Sequence, residues 1–328
     1  MRRDPRFDEH GRRIRAMPVT TRSRLFLETA SELVGETDWP YKQVVLSLRE
    51  QGPEPWKVRL FASDTPDAID DVARGEADVA IVNPAGPLAQ AYRGTGPYAA
   101  PLPLRVITVI PSLDQLTFAV TARTGITALA DIRERRYPLR VSVRGQRDHS
   151  VHFIVKQVLA AVGFSLEDLV DWGGEVRYDP GLPDTPRRIG AVQRGEIDAI
   201  FDEAVNAWAH EALELGMRFL PLDEPLLRHM EVLGYRHSVI AKAEYPALPA
   251  DVPAVDFSGW PVFTRADAPD ELITALCRAL EARKDRIPWQ GQGPLPLEHM
   301  CRDTPDGPLD LPLHPAAERF WRAQGYLR

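Results

Sequence analysis

The sequence contains little cysteine and no long apolar run. Among its 328 residues only Cys277 and Cys301 are cysteines, and they form no C-x-x-C spacing. Two cysteines are too few for a disulfide framework, and we expect two ordinary thiols rather than a single bridge. No segment approaches the ~18 consecutive apolar residues of a membrane-spanning helix. We therefore expect a chain that does not itself span a membrane.

Long basic runs are absent as well. The chain has 40 basic and 47 acidic residues, a net charge of −7, and no Lys/Arg run as long as a nucleic-acid-binding tail, so we expect no nucleic acid partner.

Residues 1–23 are charged almost throughout and lack the apolar region of about 7–15 residues that a secretory signal needs. They predict a disordered leader and a cytoplasmic protein as the sequence stands, or a periplasmic protein if the start is truncated or misassigned.

Two halves of the sequence share one layout. The stretch "RGEADVAIVNP" from Arg74 returns as "RGEIDAIFDEA" from Arg194. In both places we expect the glycine to end a helix, the charged pair to stay on a solvated turn, and the apolar run to form a buried strand. The first half predicts the order β-α-β-α-β, with strands at 24–29, 56–63 and 77–83 and helices at 41–51 and 65–75.

The second half repeats this order. Its near-continuous apolar strands are typical of parallel sheets that are covered on both faces. The predicted strands are 116–122, 139–145, 174–179 and 197–204, and the predicted helices are 125–132, 149–163 and 185–195.

The duplication predicts two lobes. Lobe 1 would comprise residues 24–121 and 256–328, and lobe 2 would be an insertion of residues 122–255. The apolar stretches "LTFAVTA" from Leu116 and "WPVFTRA" from Trp260 are similar in length. We expect them to be paired strands that carry the chain into and out of lobe 2.

Four segments carry a family resemblance. They are "GEADVAIVNPAGPLAQAYRG", "TGITALADIRERRYPLRVSVRGQ", "RGEIDAIFDEA" and the tail "LPLHPAAERFWRAQGY", where Ala316 stands in place of a glycine. In order and spacing they resemble motifs of the TAXI family, the solute-binding subunits of TRAP transporters. The resemblance runs from about Arg24 to the end of the chain.

The resemblance implies a fold and a function. The fold would be α/β, two-lobed and periplasmic-binding-protein-like, each lobe a mainly parallel sheet flanked by helices and joined by crossover hinge strands. Such a protein closes over a small organic acid in the cleft between the lobes and needs no cofactor and no metal. Its partners would be a small-molecule carboxylate and, if it is exported, TRAP membrane subunits.

The loop "VRGQRDHS" is the most informative candidate site. It lies between a predicted strand and a helix start, where free backbone N–H groups and the helix dipole favour an anion. An Arg fork would hold a carboxylate in two hydrogen bonds. The alternative is a set of solvated surface arginines in an Arg-rich protein, with Asp148 or Ser150 as the N-cap of the helix. The candidate ligand-binding residues of the loop are Arg144, Gln146, Arg147, His149 and Ser150.

Other candidate ligand contacts lie at strand ends that would face the cleft. Asp202 and Glu203 end the second repeat strand and Asn83 ends the first. The alternative for the two acids is a solvated strand end or a helix cap. Weaker candidates in the first half are Ser31, Tyr41 and Ser63.

An enzyme on the same fold is the second interpretation. The Gly-Glu-Ile-Asp-Ala strand is also similar to one in the dihydroxyphthalate decarboxylase group. In such a decarboxylase of an aromatic carboxylic acid, Arg144 or Arg147 would hold the substrate carboxylate. His149 would donate a proton, with Asp202 or Glu203 as its partner.

Overall fold

The computed structural model describes Thr29 and residues 41–48, 56–63, 66–287 and 295–327. The chain divides into two compact units, Met1–Lys42 and Gln43–Arg328, and nearly all described residues belong to the second. The leader predicted at 1–23 lies outside the described residues. So does the strand predicted at 24–29, except for Thr29, which is helical.

Strands and helices alternate along most of the described chain. The strands are β1 (Tyr41–Leu48), β2 (Trp56–Ser63), β3 (Val79–Ile81), β4 (Leu104–Ile110), β5 (Gln115–Thr121), β6 (Arg140–Arg144), β7 (Glu175–Asp179), β8 (Ala199–Asp202), β9 (Met217–Phe219), β10 (His237–Ile240), β11 (Val252–Asp256) and β12 (Trp260–Arg265). The helices are α1 (Asp67–Arg74), α2 (Ala85–Arg93), α3 (Leu129–Glu134), α4 (Ser150–Val162), α5 (Leu166–Asp171), α6 (Ile189–Gln193), α7 (Val205–Glu214), α8 (Glu224–Leu233), α9 (Asp270–Ala282), α10 (Leu297–Met300) and α11 (Pro315–Ala323).

These strands form two sheets, which confirms the predicted α/β class. One sheet has the order β1-β2-β3-β12-β4, and the other has the order β10-β11-β5-β8-β6-β7 with β9 paired to β5. The pairs β2-β3, β6-β7 and β6-β8 are parallel. The pairs that involve β5, β11 or β12 are antiparallel. The sheets are therefore mixed rather than mainly parallel, because the strands next to the crossovers run against their neighbours.

Both sheets are covered by apolar side chains on their two faces. Successive residues Phe118 and Ala119 of β5 belong to different hydrophobic clusters, as do Val79 and Ala80 of β3. Alternate side chains of a strand point to opposite faces, so helices must cover each face. Cys277 and Cys301 lie in one of these clusters as buried free thiols, which confirms the expectation of two ordinary thiols.

The repeated Arg-Gly-Glu-x-Asp stretch has one structure in both halves. Gly75 and Gly195 follow helices with φ of 74° and 73°, a left-handed conformation that glycine adopts without strain. The flanking charges form exposed ion pairs: Arg74–Glu76 at 3.1 Å and Arg194–Glu196 at 2.6 Å. The prediction of a solvated, glycine-terminated turn is confirmed.

The aspartate of each copy ties its buried strand to the parallel neighbour. The carboxylate of Asp78 accepts a hydrogen bond from the backbone N–H of Arg59 on β2 at 2.8 Å. The carboxylate of Asp198 likewise accepts from the N–H of Arg140, the first residue of β6, at 3.3 Å. The two halves therefore share a side-chain contact as well as an element order.

Two local predictions are wrong. Residues 41–48 form strand β1 instead of the start of a helix, because the β-branched pair Val44-Val45 and the alternation of apolar residues that follows favour a strand. Strands β5 and β12 are not paired. Each lies inside its own sheet, β5 beside β8, β9 and β11, and β12 between β3 and β4. Their similar apolar content reflects burial in two separate sheets.

Short crossover segments connect the sheets. Residues 111–114 lead from β4 to β5, and residues 257–259 lead back from β11 to β12. The segments are hydrogen-bonded to each other: Phe257 N donates to the carbonyl oxygen of Asp114 at 2.9 Å, and Ser258 Oγ accepts from Asp114 N at 3.0 Å. The lobe boundaries given above stay a prediction.

Helix α2 also contacts helices that flank the other sheet. The side-chain amides of Gln90 on α2 and Gln157 on α4 exchange hydrogen bonds of 2.8 and 3.2 Å. Gly86 lies against the buried ring of Tyr235, where an added Cβ would be 2.4 Å from ring atom Cδ1. Only glycine allows this close approach.

The substitution Gly86→Ala should lower the free energy of unfolding by about 1–3 kcal/mol, because its methyl group would overlap the Tyr235 ring. Urea denaturation measures the effect. Gly190→Ala is a matched control, since Gly190 is also the second residue of a helix. Its added Cβ would meet the tip of the flexible Arg194 side chain at 3.1 Å and Pro186 Cβ at an ordinary contact distance of 3.8 Å. Equal unfolding free energies for the two variants would contradict this packing.

Candidate functional site

The loop after β6 is shaped by one glycine and one histidine. Gly145 passes another backbone so closely that an added Cβ would lie 2.9 Å from the carbonyl carbon of Asp179. His149 is the N-cap of α4, and its Nδ1 accepts a hydrogen bond from Val151 N at 3.1 Å. Ser150 is the first helical residue and is buried. The predicted loop between a strand and a helix start is thus confirmed.

His149 is a neutral donor at neutral pH. Burial, together with the charge of Arg144, lowers the pKa of His149 to about 3. Because Nδ1 accepts a hydrogen bond, the ring proton lies on Nε2, which can donate to a ligand. A neutral imidazole is a poor proton donor in catalysis. The geometry therefore does not favour the decarboxylase interpretation, which stays untested.

Arg144, the last residue of β6, meets both acids that the sequence singled out. Its Nη2 lies 2.9 Å from Asp202 Oδ1 and also contacts Glu203 Oε1. The Arg144 side chain is only 12% exposed. Asp202 and Glu203 are buried, so they are neither a solvated strand end nor an isolated acid pair. The structure thus brings three of the predicted residues into one cluster.

A second guanidinium completes the pairing of Asp202. Arg188, which precedes α6 and is fully buried, contacts Asp202 Oδ2. Its Nε donates to Ser142 Oγ at 3.0 Å, and Nη1 donates to the carbonyl of Gly181 at 3.1 Å. Burial alone would raise the pKa of Asp202, but the guanidiniums of Arg188 and Arg144 hold it below its ordinary value. Asp202 is therefore a buried carboxylate.

Asp114, in the crossover segment 111–114, caps the N-terminus of α7 with its side chain. Asp114 Oδ2 accepts from Ala204 N at 2.7 Å, and Oδ1 accepts from Val205 N at 3.1 Å. These N–H groups form the beginning of α7, where the helix dipole favours negative charge. Ala204 has φ of 59°, a conformation that non-glycine residues rarely adopt. The N-terminus of α7 therefore already holds a carboxylate.

A cavity of about 640 Å³ opens beside the start of α4. Arg147, His149 and Lys156 lie on one wall, and Asp67 and Asp70 of α1 lie among the other lining residues. The remaining lining residues are Pro66, Pro97, Tyr98, Ala99, Ala100, Leu102, Asp148, His152 and Phe153. The Arg147 guanidinium also lies 3.6 Å from the centroid of the Tyr178 ring. The loop therefore contributes cationic and donor groups to a space of ligand size.

The other predicted residues are distributed around this region. Gln146 is half-buried, and its side-chain Nε2 is buried without a hydrogen-bond partner among the described residues. Asn83 is half-buried and precedes a cis peptide bond to Pro84 just before α2. Ser31 and the side chains of Tyr41 and Ser63 lie outside the described residues.

Two residues of the cluster were missed. Arg188 lies in the stretch "TPRRIGAV", and Asp114 lies in "PSLDQL". In the first, an Arg directly before an apolar helical run is a weak sign of burial. In the second, an acid between two apolar strands would normally be read as a solvated turn. Neither stretch signals an ion pair across the fold.

Two further searches concern the described residues alone. In that part of the chain, no group of three or more His, Cys, Asp and Glu side chains is arranged to hold a metal ion. None of the helices there combines the length and apolar character needed to cross a membrane.

A family model gives the clearest comparison with known proteins. The model described as the NMT1-like family matches residues 65–325, which include both crossovers, the β6–α4 loop and the cluster around Asp202. The chain belongs to the NMT1-like family. No curated protein matches the sequence.

Solved structures of substrate-binding proteins resemble the chain. The glycine betaine/L-proline-binding protein ProX from Borrelia burgdorferi is 12% identical, with a TM-score of 0.37 over 65% of this chain and 66% of that one. MatC from Rhodopseudomonas palustris with bound malate is 14% identical, with a TM-score of 0.34 over 67% and 70%. At such scores neither likeness carries an argument about the ligand. This member of the NMT1-like family has the predicted α/β class, with two mixed sheets and helices between their strands.

Replacing Arg188 should be strongly destabilising. The substitution Arg188→Gln leaves the Asp202 carboxylate buried with one guanidinium instead of two, and we expect it to lower the free energy of unfolding by about 3–5 kcal/mol. Chemical denaturation measures this loss. Arg187→Gln is the matched control, because the neighbouring Arg187 is exposed. Similar small losses in both variants would show that Arg188 does not stabilise a buried charge.

His149 should make the folded protein less stable in acid. Its folded-state pKa of about 3 lies below the unfolded value of about 6.5, so its contribution is present above pH 6.5 and is lost as pH falls toward 3. His149→Asn keeps a capping side chain and should reduce the slope of unfolding free energy against pH by up to about 1.4 kcal/mol per unit in that window. The same change at exposed His229 should leave the slope unchanged. Equal slopes for His149→Asn and wild type would contradict the assignment.

Proposed function

We propose that this chain is a solute-binding protein of TRAP/TAXI type that holds the carboxylate of a small organic acid between its two lobes. The contact between Arg144 and Glu203 carries the proposal. Arg144 is nearly buried at the carboxyl end of β6, and a side-chain carboxylate already lies against it. A ligand carboxylate would find the same charge-assisted hydrogen bonds there.

The β6–α4 loop supports the same ligand class. The 13-residue helix α4 directs its N-terminal dipole toward the loop, and the neutral His149 adds an Nε2–H donor. Arg147 lines the adjoining cavity of about 640 Å³, a volume within the range of about 300–1,000 Å³ that is usual for small-molecule sites. Gln146 and Ser150 remain proposed polar contacts of this wall.

The opposite wall of the proposed cleft would come from the five-stranded sheet. Asn83 at the start of α2 is the best-placed contact, and Ser31, Tyr41 and Ser63 remain proposals. A ligand that contacts both walls would stabilise the closed arrangement of the lobes. If the protein is exported, TRAP membrane subunits would be its partners. Fractionation of cells that express the full chain would test whether it lies in the cytoplasm or the periplasm.

Thermal unfolding with a panel of acids tests the proposal. The panel contains acetate, succinate, malate, benzoate and phthalate at pH 6, with chloride at equal ionic strength as reference. At least one acid should raise the melting temperature, by an amount that corresponds to about 2.7 kcal/mol at a 100-fold excess over Kd. The double substitution Arg144→Gln and Glu203→Gln should abolish the rise, because the guanidinium that would bind the ligand carboxylate is lost.

Arg194→Gln, at the exposed turn before β8, is the control and should respond like the wild type. A panel without any effect, or an unchanged response of the double variant, would reject carboxylate binding on Arg144. Mass spectrometry of the same mixtures separates binding from catalysis. Consumption of an acid with release of carbon dioxide would support the decarboxylase interpretation instead.

A further inference from the structure

Three buried carboxyl groups meet two guanidinium groups at the carboxyl end of β8. The acids are Asp114, Asp202 and Glu203, and the bases are Arg144 and Arg188. If all five groups were ionised, the cluster would carry one excess negative charge inside the protein. An uncompensated buried charge is strongly unfavourable. A single proton would make the cluster neutral.

The hydrogen bonds indicate which acid holds this proton. The side chains of Asp114 and Glu203 lie within hydrogen-bonding reach of each other, and a hydrogen bond between them needs a proton on one of them because two carboxylates have no donor. Burial raises the pKa of both acids. The oxygens of Asp114 accept three backbone N–H groups, from Gln115 at 2.8 Å, Ala204 at 2.7 Å and Val205 at 3.1 Å, and these donors oppose the effect of burial on Asp114. We therefore assign the proton to Glu203.

The surroundings of Glu203 agree with this assignment. Burial raises the pKa of Glu203 well above its ordinary value, and the charges of Asp114 and Asp202 raise it further against the opposing effect of Arg144. The other charged or titratable groups around the cluster are Arg144 on β6, Asp202 on β8, Asp114 in the crossover, Arg188 before α6, His149 before α4, His152 on α4, Tyr245, and Asp256 beyond Ser258.

We propose that a ligand carboxylate binds Arg144 by exchanging with Glu203, and that the displaced Glu203 side chain holds one proton in its hydrogen bond to Asp114. This inference rests on the proposed function. With Glu203 protonated, the cluster and ligand together carry one excess negative charge; with Glu203 ionised they would carry two. The proton on Glu203 therefore favours carboxylate binding, because it halves the excess charge of the bound state.

Proton coupling fixes the sign of the pH dependence. Where Glu203 is already protonated, binding takes up no proton and the affinity does not change with pH. Above the pKa of Glu203 in the free protein, binding takes up one proton per ligand, and Kd rises about tenfold per pH unit. Acetate and benzoate are ionised throughout pH 6–9, so their own titration does not contribute. The second carboxyl groups of succinate, malate and phthalate still release protons near pH 6, so for these acids the proton uptake is read above pH 7.

Isothermal titration calorimetry tests the exchange. The titrants are those of acetate, succinate, malate, benzoate and phthalate that raise the melting temperature, each measured at half-unit steps from pH 6 to pH 9. Buffers of different ionisation enthalpy give the number of protons taken up. In wild-type protein this number should rise from zero to about one as Kd weakens. In Glu203→Gln, which mimics the protonated side chain, Kd and proton uptake should not vary with pH.

Asp256→Asn is the necessary control. Burial raises the pKa of Asp256 to about 7, and Asp256 is joined to Asp114 through Ser258, so it titrates in the same window. Burial keeps His149, with a pKa of about 3, neutral throughout. We expect Asp256→Asn to keep the wild-type proton uptake. The opposite result would be a Kd that no longer depends on pH in Asp256→Asn but still does so in Glu203→Gln. That result would assign the proton to a group other than Glu203 and overturn the inference.

The result also separates this inference from the proposed function. If the infrared spectra described below show that Glu203 ionises between pH 6 and pH 9, binding with a pH-independent Kd and no proton uptake would overturn the exchange and leave a carboxylate-binding protein. Infrared difference spectra of the free protein give a second readout that needs no ligand. Because Asp256 has a pKa of about 7, the spectra are recorded in the Asp256→Asn variant. That variant should show the C=O band of a protonated carboxyl group at pH 7, and the double variant Asp256→Asn/Glu203→Gln should lack it. An Asp256→Asn spectrum without that band would also overturn the inference.

Discussion

The buried carboxylate of Asp202 sets the arrangement of the residues around it. Arg144 holds one oxygen at the end of β6, Arg188 holds the other before α6, and the Asp202 carbonyl accepts from Thr117 Oγ1 on β5 at 2.9 Å. An ion in the interior is tolerated only when its lone pairs have partners. Three strands of the seven-stranded sheet are therefore fixed at one point. The residues that follow β8 take their positions from this point, including Ala204 in its left-handed conformation.

Internal carboxyl groups occupy two of the anion-binding positions of the fold. Asp114 closes the N-terminus of α7, and Glu203 lies on Arg144. The start of α4 is different, because its cap is the neutral side chain of His149. Two strand-to-helix junctions of the same sheet thus differ in charge. Because no internal carboxylate caps α4, the β6–α4 loop is the junction at which an external anion can be recognised, as the proposed function requires.

The sequence predicts the parts of this structure that depend on local chemistry. Gly75 and Gly195, each followed by a buried strand, indicate the duplicated helix-turn-strand unit because a left-handed turn needs glycine. The loop at 145–149 is foreseeable from its glycine as well, because Gly145 lets the backbone pass close to that of Asp179. The burial of an individual arginine is harder to predict from sequence. Arg187 and Arg188 are adjacent residues of the same type, and only the packing of the folded chain buries Arg188 and leaves Arg187 exposed. The strand pairing was also missed, since apolar content predicts burial of a strand but not its neighbour.

The amide pair between Gln90 on α2 and Gln157 on α4 has a different character from the charged cluster. Each amide both donates and accepts, so the contact is neutral and complementary to itself. Water can replace both hydrogen bonds when the helices separate, without the movement of an ion. The strength of this contact is therefore insensitive to ionic strength and to acidity. The two helices can therefore separate and form this contact again under conditions that alter the ion pairs of the molecule.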